Sequence, residues 1–84
     1  MMRDALYHLI ENECLLADKR FGSPTSTHEA IGVALEEWHE LIAAVHDDDL
    51  SMVQGECIDL IAILVRLAEA CSVVGGDFER RSVK

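Results

Sequence analysis

The chain has 84 residues, half of them apolar, with sixteen Asp and Glu against seven Lys and Arg and a formal net charge of −9. A chain this short forms one domain and buries only a modest share of its unfolded surface, so a lone monomer is expected to be marginally stable. Four aromatic residues and a single proline are typical of an all-α protein. The negative charge, without any basic block, argues against nucleic-acid binding through phosphate neutralisation.

The cysteines, Cys14, Cys57 and Cys71, are odd in number and form no C-x-x-C pair. This pattern argues against a disulfide framework and against a structural zinc knuckle. The N-terminal stretch MMRDALYHLIENE carries acids where a signal peptide would be apolar, and the longest apolar run, LIAILV, is too short to span a bilayer. A soluble, cytoplasmic protein without a membrane partner is expected.

The first predicted helix covers about residues 3–20. Leu6, Ile10 and Cys14 recur there at the spacing of one helix face, while most of the acidic side chains turn outward. The segment FGSPTS that follows is rich in turn-forming residues and interrupts the apolar pattern, so the first helix is expected to end there.

The second predicted helix runs from Thr27 to about His46. Ser26 and Glu29 have the spacing of a capping box, which marks the start of a helix. An apolar seam recurs along the helix at alternating steps of four and three and is expected to face the core. The seam consists of Ile31, Leu35, Trp38, Ile42 and Val45.

The third predicted helix covers about residues 49–74, capped by the aspartates at 47–49 and ended by Gly75 and Gly76. Between Cys57 and Val73 it is apolar nearly all round, so it cannot simply lie on a surface. Residues 1–84 are therefore predicted to form one helical domain, a hairpin-based bundle that is completed by dimerisation.

Two pairs of acidic side chains interrupt this apolar pattern at i,i+3 spacing, Glu37 with Glu40 and Glu56 with Asp59. Each pair projects from one side of its helix. If the two helices fold back near residue 48, Glu40 and Glu56 lie eight residues from the turn and Glu37 and Asp59 lie eleven. All four carboxylates are then level, roughly 12 to 17 Å from the turn.

Four carboxylates within about 5 Å of one another repel by roughly 3 kcal/mol per pair at an effective dielectric constant of 20. Such repulsion rivals the stability of a small domain, so a cation or protonation must relieve it. Oxygen ligands from carboxylates select hard divalent ions, which makes Mg²⁺ the expected ion and Mn²⁺ a plausible substitute, with zinc disfavoured.

The sequences EEWHE at 36–40 and ECIDL at 56–60 resemble the E-E-x-x-E and E-x-x-D motifs of the all-α nucleotide pyrophosphohydrolases, the MazG-like superfamily. The resemblance covers roughly residues 26–70. It implies a helical dimer or tetramer that cleaves a nucleoside triphosphate between the α and β phosphates, releasing a monophosphate and pyrophosphate. Cleansing of the nucleotide pool is one purpose that the resemblance implies. The Mg²⁺ ligands that it implies here are Glu37, Glu40, Glu56 and Asp59.

Further residues near these motifs have candidate roles, each beside a structural alternative. Arg66 lies two turns beyond Asp59 and either grips a substrate phosphate or pairs with an acid. Lys19 reaches the substrate or simply complements the end of the first helix. Glu36 orients the attacking water or is a solvated glutamate, and Trp38 stacks on a base or belongs to the core.

Two other functions stay open at this point. The stretch AAVHDDDLSMVQGECIDL resembles phosphoribosyl-ATP pyrophosphohydrolase, which belongs to the same superfamily. The other alternative is a non-enzymatic helical module, in which the acids are solvated and the third helix serves as an oligomer interface. Members of the superfamily commonly have a further helix, whereas GDFERRSVK alone follows here, so part of the pocket is absent or comes from another chain.

Overall fold

A computed structural model describes residues 2–71 of the chain. It contains three α-helices, α1 (Met2–Phe21), α2 (Thr27–His46) and α3 (Leu50–Ala70), and no strand within the described range. The all-α prediction is therefore confirmed. The predicted third helix extends to about residue 74 and ends at two glycines, and this last part lies outside the described residues, since α3 is described as far as its C-cap residue, Cys71.

The start of α2 follows from local hydrogen bonding. The side chain of Ser26 accepts a hydrogen bond from the backbone N–H of Glu29 at 3.0 Å, as a capping box requires. The carboxylate of Glu29 in turn accepts from the backbone N–H of Thr25 at 2.8 Å, one residue earlier than in the standard box. The first bond satisfies an N–H group that the first turn of the helix leaves without a partner, and the second ties the residue before the N-cap to that turn.

The turn between α2 and α3 is built by the three aspartates. Asp48 has φ 56°, and the N–H of Asp49 donates to the carbonyl of Ala44 at 3.3 Å, which together form a Schellman-type end to α2. The side chain of Asp49 then accepts from the N–H of Met52 at 3.1 Å and begins α3. One short turn therefore ends α2, caps α3 and folds the two helices into an antiparallel hairpin.

Glycine substitutions at the first two aspartates of the turn are expected to change stability in opposite directions. Asp48→Gly removes the cost of a left-handed conformation at a residue with a Cβ and should raise the free energy of unfolding by up to about 1 kcal/mol. Asp47 has φ −84°, so Asp47→Gly only adds backbone entropy to the unfolded chain. It should lower the free energy of unfolding by about 0.5 to 1 kcal/mol. Urea denaturation of the two variants beside the parent chain measures both, and shifts of the same sign would contradict the assigned turn.

Helix α3 lies at the centre, with α1 and α2 packed against different sides of it; the described helices show no packing between α1 and α2. The thiol of Cys14 contacts the carbonyl oxygen of Ala62 at 3.8 Å, and Asp18, one turn further along α1, pairs with Arg66 one turn further along α3. Helices α1 and α3 are therefore parallel. None of the three described helices combines the length and the apolar character needed to cross a membrane.

The core of the single chain is made of small side chains. Its buried residues are Cys14, Ala30, Ala34, Ala44, Ala62 and Ala70. The assignment of the α2 seam to the core is wrong for the single chain, because its five side chains are between 37% and 53% exposed. Alanines permit close approach of α2 to α3, so helix α2 turns its alanine face to α3 and leaves its larger apolar side chains outside.

Candidate metal centre

Three carboxylates from α2 and α3 converge in the middle of the hairpin. One oxygen atom from each of Glu37, Glu56 and Asp59 lies within 4.8 Å of the other two, and all three side chains are half-buried. Glu37 comes from the face of α2 that packs on α3, three residues after the buried Ala34. Glu56 and Asp59 stand almost one turn apart on α3. Asp59 and Glu37 are each eleven residues from Asp48 in the turn, so the two side chains lie at the same height along the hairpin. We call these three residues the acidic cluster.

Glu40, the fourth carboxylate that the sequence predicts here, is exposed and lies outside the group of three. Each step of three residues shifts a side chain by about 60° around the helix, so Glu40 lies about 120° from the buried Ala34, whereas Glu37 lies only about 60° from it. The negative charge of Glu40 still contributes to raising the pKa values of Glu37 and Asp59. Three of the four predicted side chains are therefore brought together directly, and the fourth acts at longer range.

The acidic cluster holds negative charge that no neighbouring protein group neutralises in the described part of the chain. The Oε1 atoms of Glu37 and Glu56 are buried and accept no hydrogen bond. Burial, followed by a proton-sharing hydrogen bond to Glu56 and the charges of the nearby acids, raises the pKa of Glu37 to about 7. Burial and Glu40 also raise the pKa of Asp59. Unsatisfied, crowded carboxylate oxygens of this kind fit a hard divalent cation.

The raised pKa of Glu37 predicts a pH-dependent stability in metal-free buffer. The folded state binds the Glu37 proton more tightly than the unfolded state, so this stabilisation is complete below about pH 4.5 and is lost as the pH rises through about 7. Allowing for solvent screening, the loss should amount to about 1 to 2 kcal/mol. Thermal melting with a chelator between pH 5 and 8 measures it, and Glu37→Gln should flatten the slope; an unchanged slope in that variant would contradict the assignment.

A cleft of about 490 Å³ opens beside the acidic cluster. It is bounded by the end of α1, the segment 22–25, the first half of α2 and the middle of α3. Glu37 and Asp59 form one end, and Arg66 lies on the wall contributed by α3. Apolar walls are supplied by Ala17, Phe21, Pro24, Ala30, Val33, Ala62 and Ile63. The cleft thus places an apolar surface and one guanidinium beside three converging carboxylates.

Arg66 makes two contacts with the end of α1. Its Nε atom donates to Oδ1 of Asp18 at 2.8 Å, and its Nη2 atom donates to the carbonyl oxygen of Gly22. Arg66 therefore pairs with an acid, as one of its two sequence-based alternatives states, while it also lines the cleft. The sequence did not single out Asp18 as a partner of Arg66. The only local signal was Gly22, four residues later, because glycine commonly ends a helix.

The other candidates lie away from the cleft. Lys19 and Glu36 are exposed and are not among the residues that line it. Glu36, two residues after the buried Ala34, lies on the side of α2 away from α3. Trp38 is 47% exposed and does not line the cleft either. These positions favour the structural alternative for Lys19 and Glu36, and they separate Trp38 from the acidic cluster.

Known proteins supply no assignment for this arrangement. The chain matches no protein-family model, no curated protein and no solved structure. Its function must be inferred from the chemistry of the acidic cluster and the cleft, together with the motif resemblance of residues 36–40 and 56–60.

Proposed function

We propose that the chain is a Mg²⁺-dependent nucleoside triphosphate pyrophosphohydrolase. It hydrolyses a ribo- or deoxyribonucleoside triphosphate to the monophosphate and pyrophosphate. The observation that carries the proposal is the convergence of Glu37, Glu56 and Asp59 within 4.8 Å, with two buried and unsatisfied carboxylate oxygens, at one end of a cleft. The resemblance of the two acidic motifs to the MazG-like pyrophosphohydrolases supports the same activity.

The acidic cluster supplies the ligands expected for the metal, with Glu40 close enough to add negative charge. A bound Mg²⁺ would neutralise phosphate charge, polarise the attacked phosphorus and lower the pKa of a bound water. Mn²⁺ has similar ligand preferences and is expected to substitute. Burial of the carboxylates in partly apolar surroundings strengthens their interaction with a cation, because the local dielectric constant is lower than that of water.

The remaining parts of the cleft suit the rest of the substrate. The guanidinium of Arg66 can donate hydrogen bonds to phosphate oxygens, since the described residues, Asp18 and Gly22, occupy two of its five N–H groups. Phe21, Val33 and Ile63 offer an apolar wall against which a nucleoside can pack. The cleft therefore combines ligands for a metal ion, hydrogen-bond donors for phosphate and an apolar wall for the nucleoside.

The proposal includes assembly into a homodimer or homotetramer. Helix α2 exposes its five-residue apolar seam, and α3 exposes Ile61, Leu64 and Val65 at 36% to 46%. The radius of gyration, 14.2 Å, exceeds the value of about 12 Å for a compact domain of this length. Burial of these faces against a second copy would supply the large apolar side chains that the single-chain core lacks.

Thermal melting with Mg²⁺ tests whether the acidic cluster is a metal site. At a tenfold excess over its dissociation constant, Mg²⁺ should stabilise the chain by about 1.4 kcal/mol, which is roughly 5 to 10 °C in melting temperature. Asp59→Asn should abolish the rise, and Asp47→Asn, which removes an exposed acid of the interhelical turn, should preserve it. Equal rises in both variants would contradict a site at the acidic cluster.

A non-enzymatic helical module is the second candidate, and the exposed apolar seam of α2 favours it. In that case oligomerisation is the function, the acids are solvated, and melting should not depend on divalent metal. Phosphoribosyl-ATP is the alternative substrate within the enzyme class. Measuring pyrophosphate release from it beside the nucleoside triphosphates distinguishes the two substrates.

A further inference from the structure

We propose that Asp18 is a positioning residue that holds the guanidinium of Arg66 in place for the phosphates of a bound nucleotide and away from the acidic cluster. This inference rests on the proposed function. Asp18 itself would not touch the substrate: it is half-exposed and does not line the cleft, whereas Arg66 does. Its effect on binding would be exerted entirely through Arg66.

The cleft depends on Arg66 for positive charge. Among the described residues that line it, Arg66 is the only Lys or Arg, and it faces four carboxylates. These acids are Glu13, Glu29, Glu37 and Asp59. A phosphate chain entering such a cleft is repelled by the protein unless Arg66, together with a metal, offsets the negative charge.

The same carboxylates compete with a phosphate for Arg66. Arg66 and Asp59 are seven residues apart on α3, which is nearly two full turns, so the two side chains leave the same side of the helix about 10.5 Å apart along its axis. A flexible arginine that has no other partner would lean toward Asp59 and Glu37 and form an ion pair there. Such a pair would neutralise the acidic cluster and withdraw the guanidinium from the phosphates.

Asp18 prevents this movement through two linked contacts. Its side chain accepts from Arg66 Nε at 2.8 Å, and its backbone carbonyl accepts from the N–H of Gly22 at 2.9 Å. Gly22, at φ 69°, ends α1 in the left-handed conformation and directs its own carbonyl oxygen at Arg66 Nη2. The Arg66 guanidinium is thereby held against Asp18, and the Arg66 side chain is only 11% exposed. Within residues 2–71 the guanidinium makes these two hydrogen bonds, which leaves its other N–H groups to serve the cleft.

The test compares Asp18→Ala, Asp18→Asn and Asp18→Glu with the parent chain, with Asp4→Asn as a matched exposed acid in the first turn of the same helix. Steady-state pyrophosphate release with Mg²⁺ gives KM and kcat. Binding of inorganic triphosphate with Mg²⁺, measured by calorimetry, reports on the cleft without catalysis. Mg²⁺ affinity is measured alone, and circular dichroism confirms that each variant folds.

Asp18→Ala should raise KM and weaken triphosphate binding about tenfold while kcat changes by less than about threefold, as expected for a lost charge-assisted contact. It should also weaken Mg²⁺ binding, because Arg66 then competes for the acidic cluster. Asp18→Glu should restore most of the loss, and Asp18→Asn, which keeps the acceptor oxygen and is the milder change, should fall between them.

Each alternative result decides one question. If the parent chain releases pyrophosphate and Asp18→Ala leaves KM, triphosphate binding and Mg²⁺ affinity unchanged, the positioning role is wrong and the proposed function stands. If the parent chain is inactive but triphosphate binding still depends on Asp18, the positioning role holds and the enzymatic function fails. A parent chain that neither releases pyrophosphate nor binds triphosphate would overturn both, and one that releases pyrophosphate without binding triphosphate would overturn the positioning role alone.

Discussion

Asp59→Asn is expected to lower pyrophosphate release by at least about a thousandfold while the chain stays folded. Asp59 is one of the three carboxylates within 4.8 Å of one another, and an amide carries no charge with which to hold Mg²⁺. A loss of this size corresponds to about 4 kcal/mol of transition-state stabilisation, the order expected when a metal site is disrupted. Steady-state assays at saturating nucleotide and several Mg²⁺ concentrations measure it.

The same substitution is expected to leave stability unchanged or to raise it when no metal is present. Burial and Glu40 raise the pKa of Asp59, so its charged form is disfavoured in the fold, and the amide removes that cost. The control is Asp47→Asn, in the turn, which should keep full activity. An active Asp59→Asn variant would contradict a direct role in metal binding, and a variant that has lost its helical circular dichroism would contradict the expected stability.

Leu35→Glu is expected to dissociate the proposed oligomer and, at low protein concentration, to unfold the chain. Leu35 is 53% exposed in the single chain and lies in the α2 apolar seam between Ile31 and Trp38. If a second copy covers that seam, the substitution loses the burial of a leucine and places a carboxylate in an apolar interface, at a combined cost of at least about 3 kcal/mol per protomer. Sedimentation velocity and melting at several protein concentrations measure the effect.

Ala43→Glu is the matched control for the interface, since it introduces the same side chain on the same helix. Ala43 is exposed and, nine residues after the buried Ala34, lies on the side of α2 away from α3, about 120° around the helix from the centre of the seam. The variant should remain oligomeric. A parent chain that sediments as a monomer and melts at a temperature independent of concentration would contradict the dimer, because a cooperative fold would then exist without the second copy.

The starts of α2 and α3 could be predicted from the sequence because their signals are local. Ser26 and Glu29 cap α2 through bonds between residues three apart, and Asp49 caps α3 in the same way. The face of α2 that packs on α3 could not be predicted. Large apolar side chains suggested that the seam through Leu35 and Trp38 packs on α3, whereas close helix approach selected the alanines, a choice that depends on tertiary packing.

The candidate site was predictable to the extent that helix geometry determines it. The position of the turn at Asp48 sets the heights of Glu37 and Asp59, so their convergence followed from counting residues. The exact rotation of α2 decides that Glu40 falls outside the acidic cluster, and counting does not give that rotation. The contact between Asp18 and Arg66 joins positions 48 residues apart and depends on how α1 docks, for which the sequence has no local signal.

The most direct test of the central claim is pyrophosphate release by the purified parent chain in the presence of Mg²⁺. The substrates are the canonical and modified nucleoside and deoxynucleoside triphosphates and phosphoribosyl-ATP. We expect stoichiometric monophosphate and pyrophosphate from at least one of them, abolished by chelation and restored by Mg²⁺ or Mn²⁺. Inactivity toward the whole panel, or release of orthophosphate in place of pyrophosphate, would contradict the proposed function.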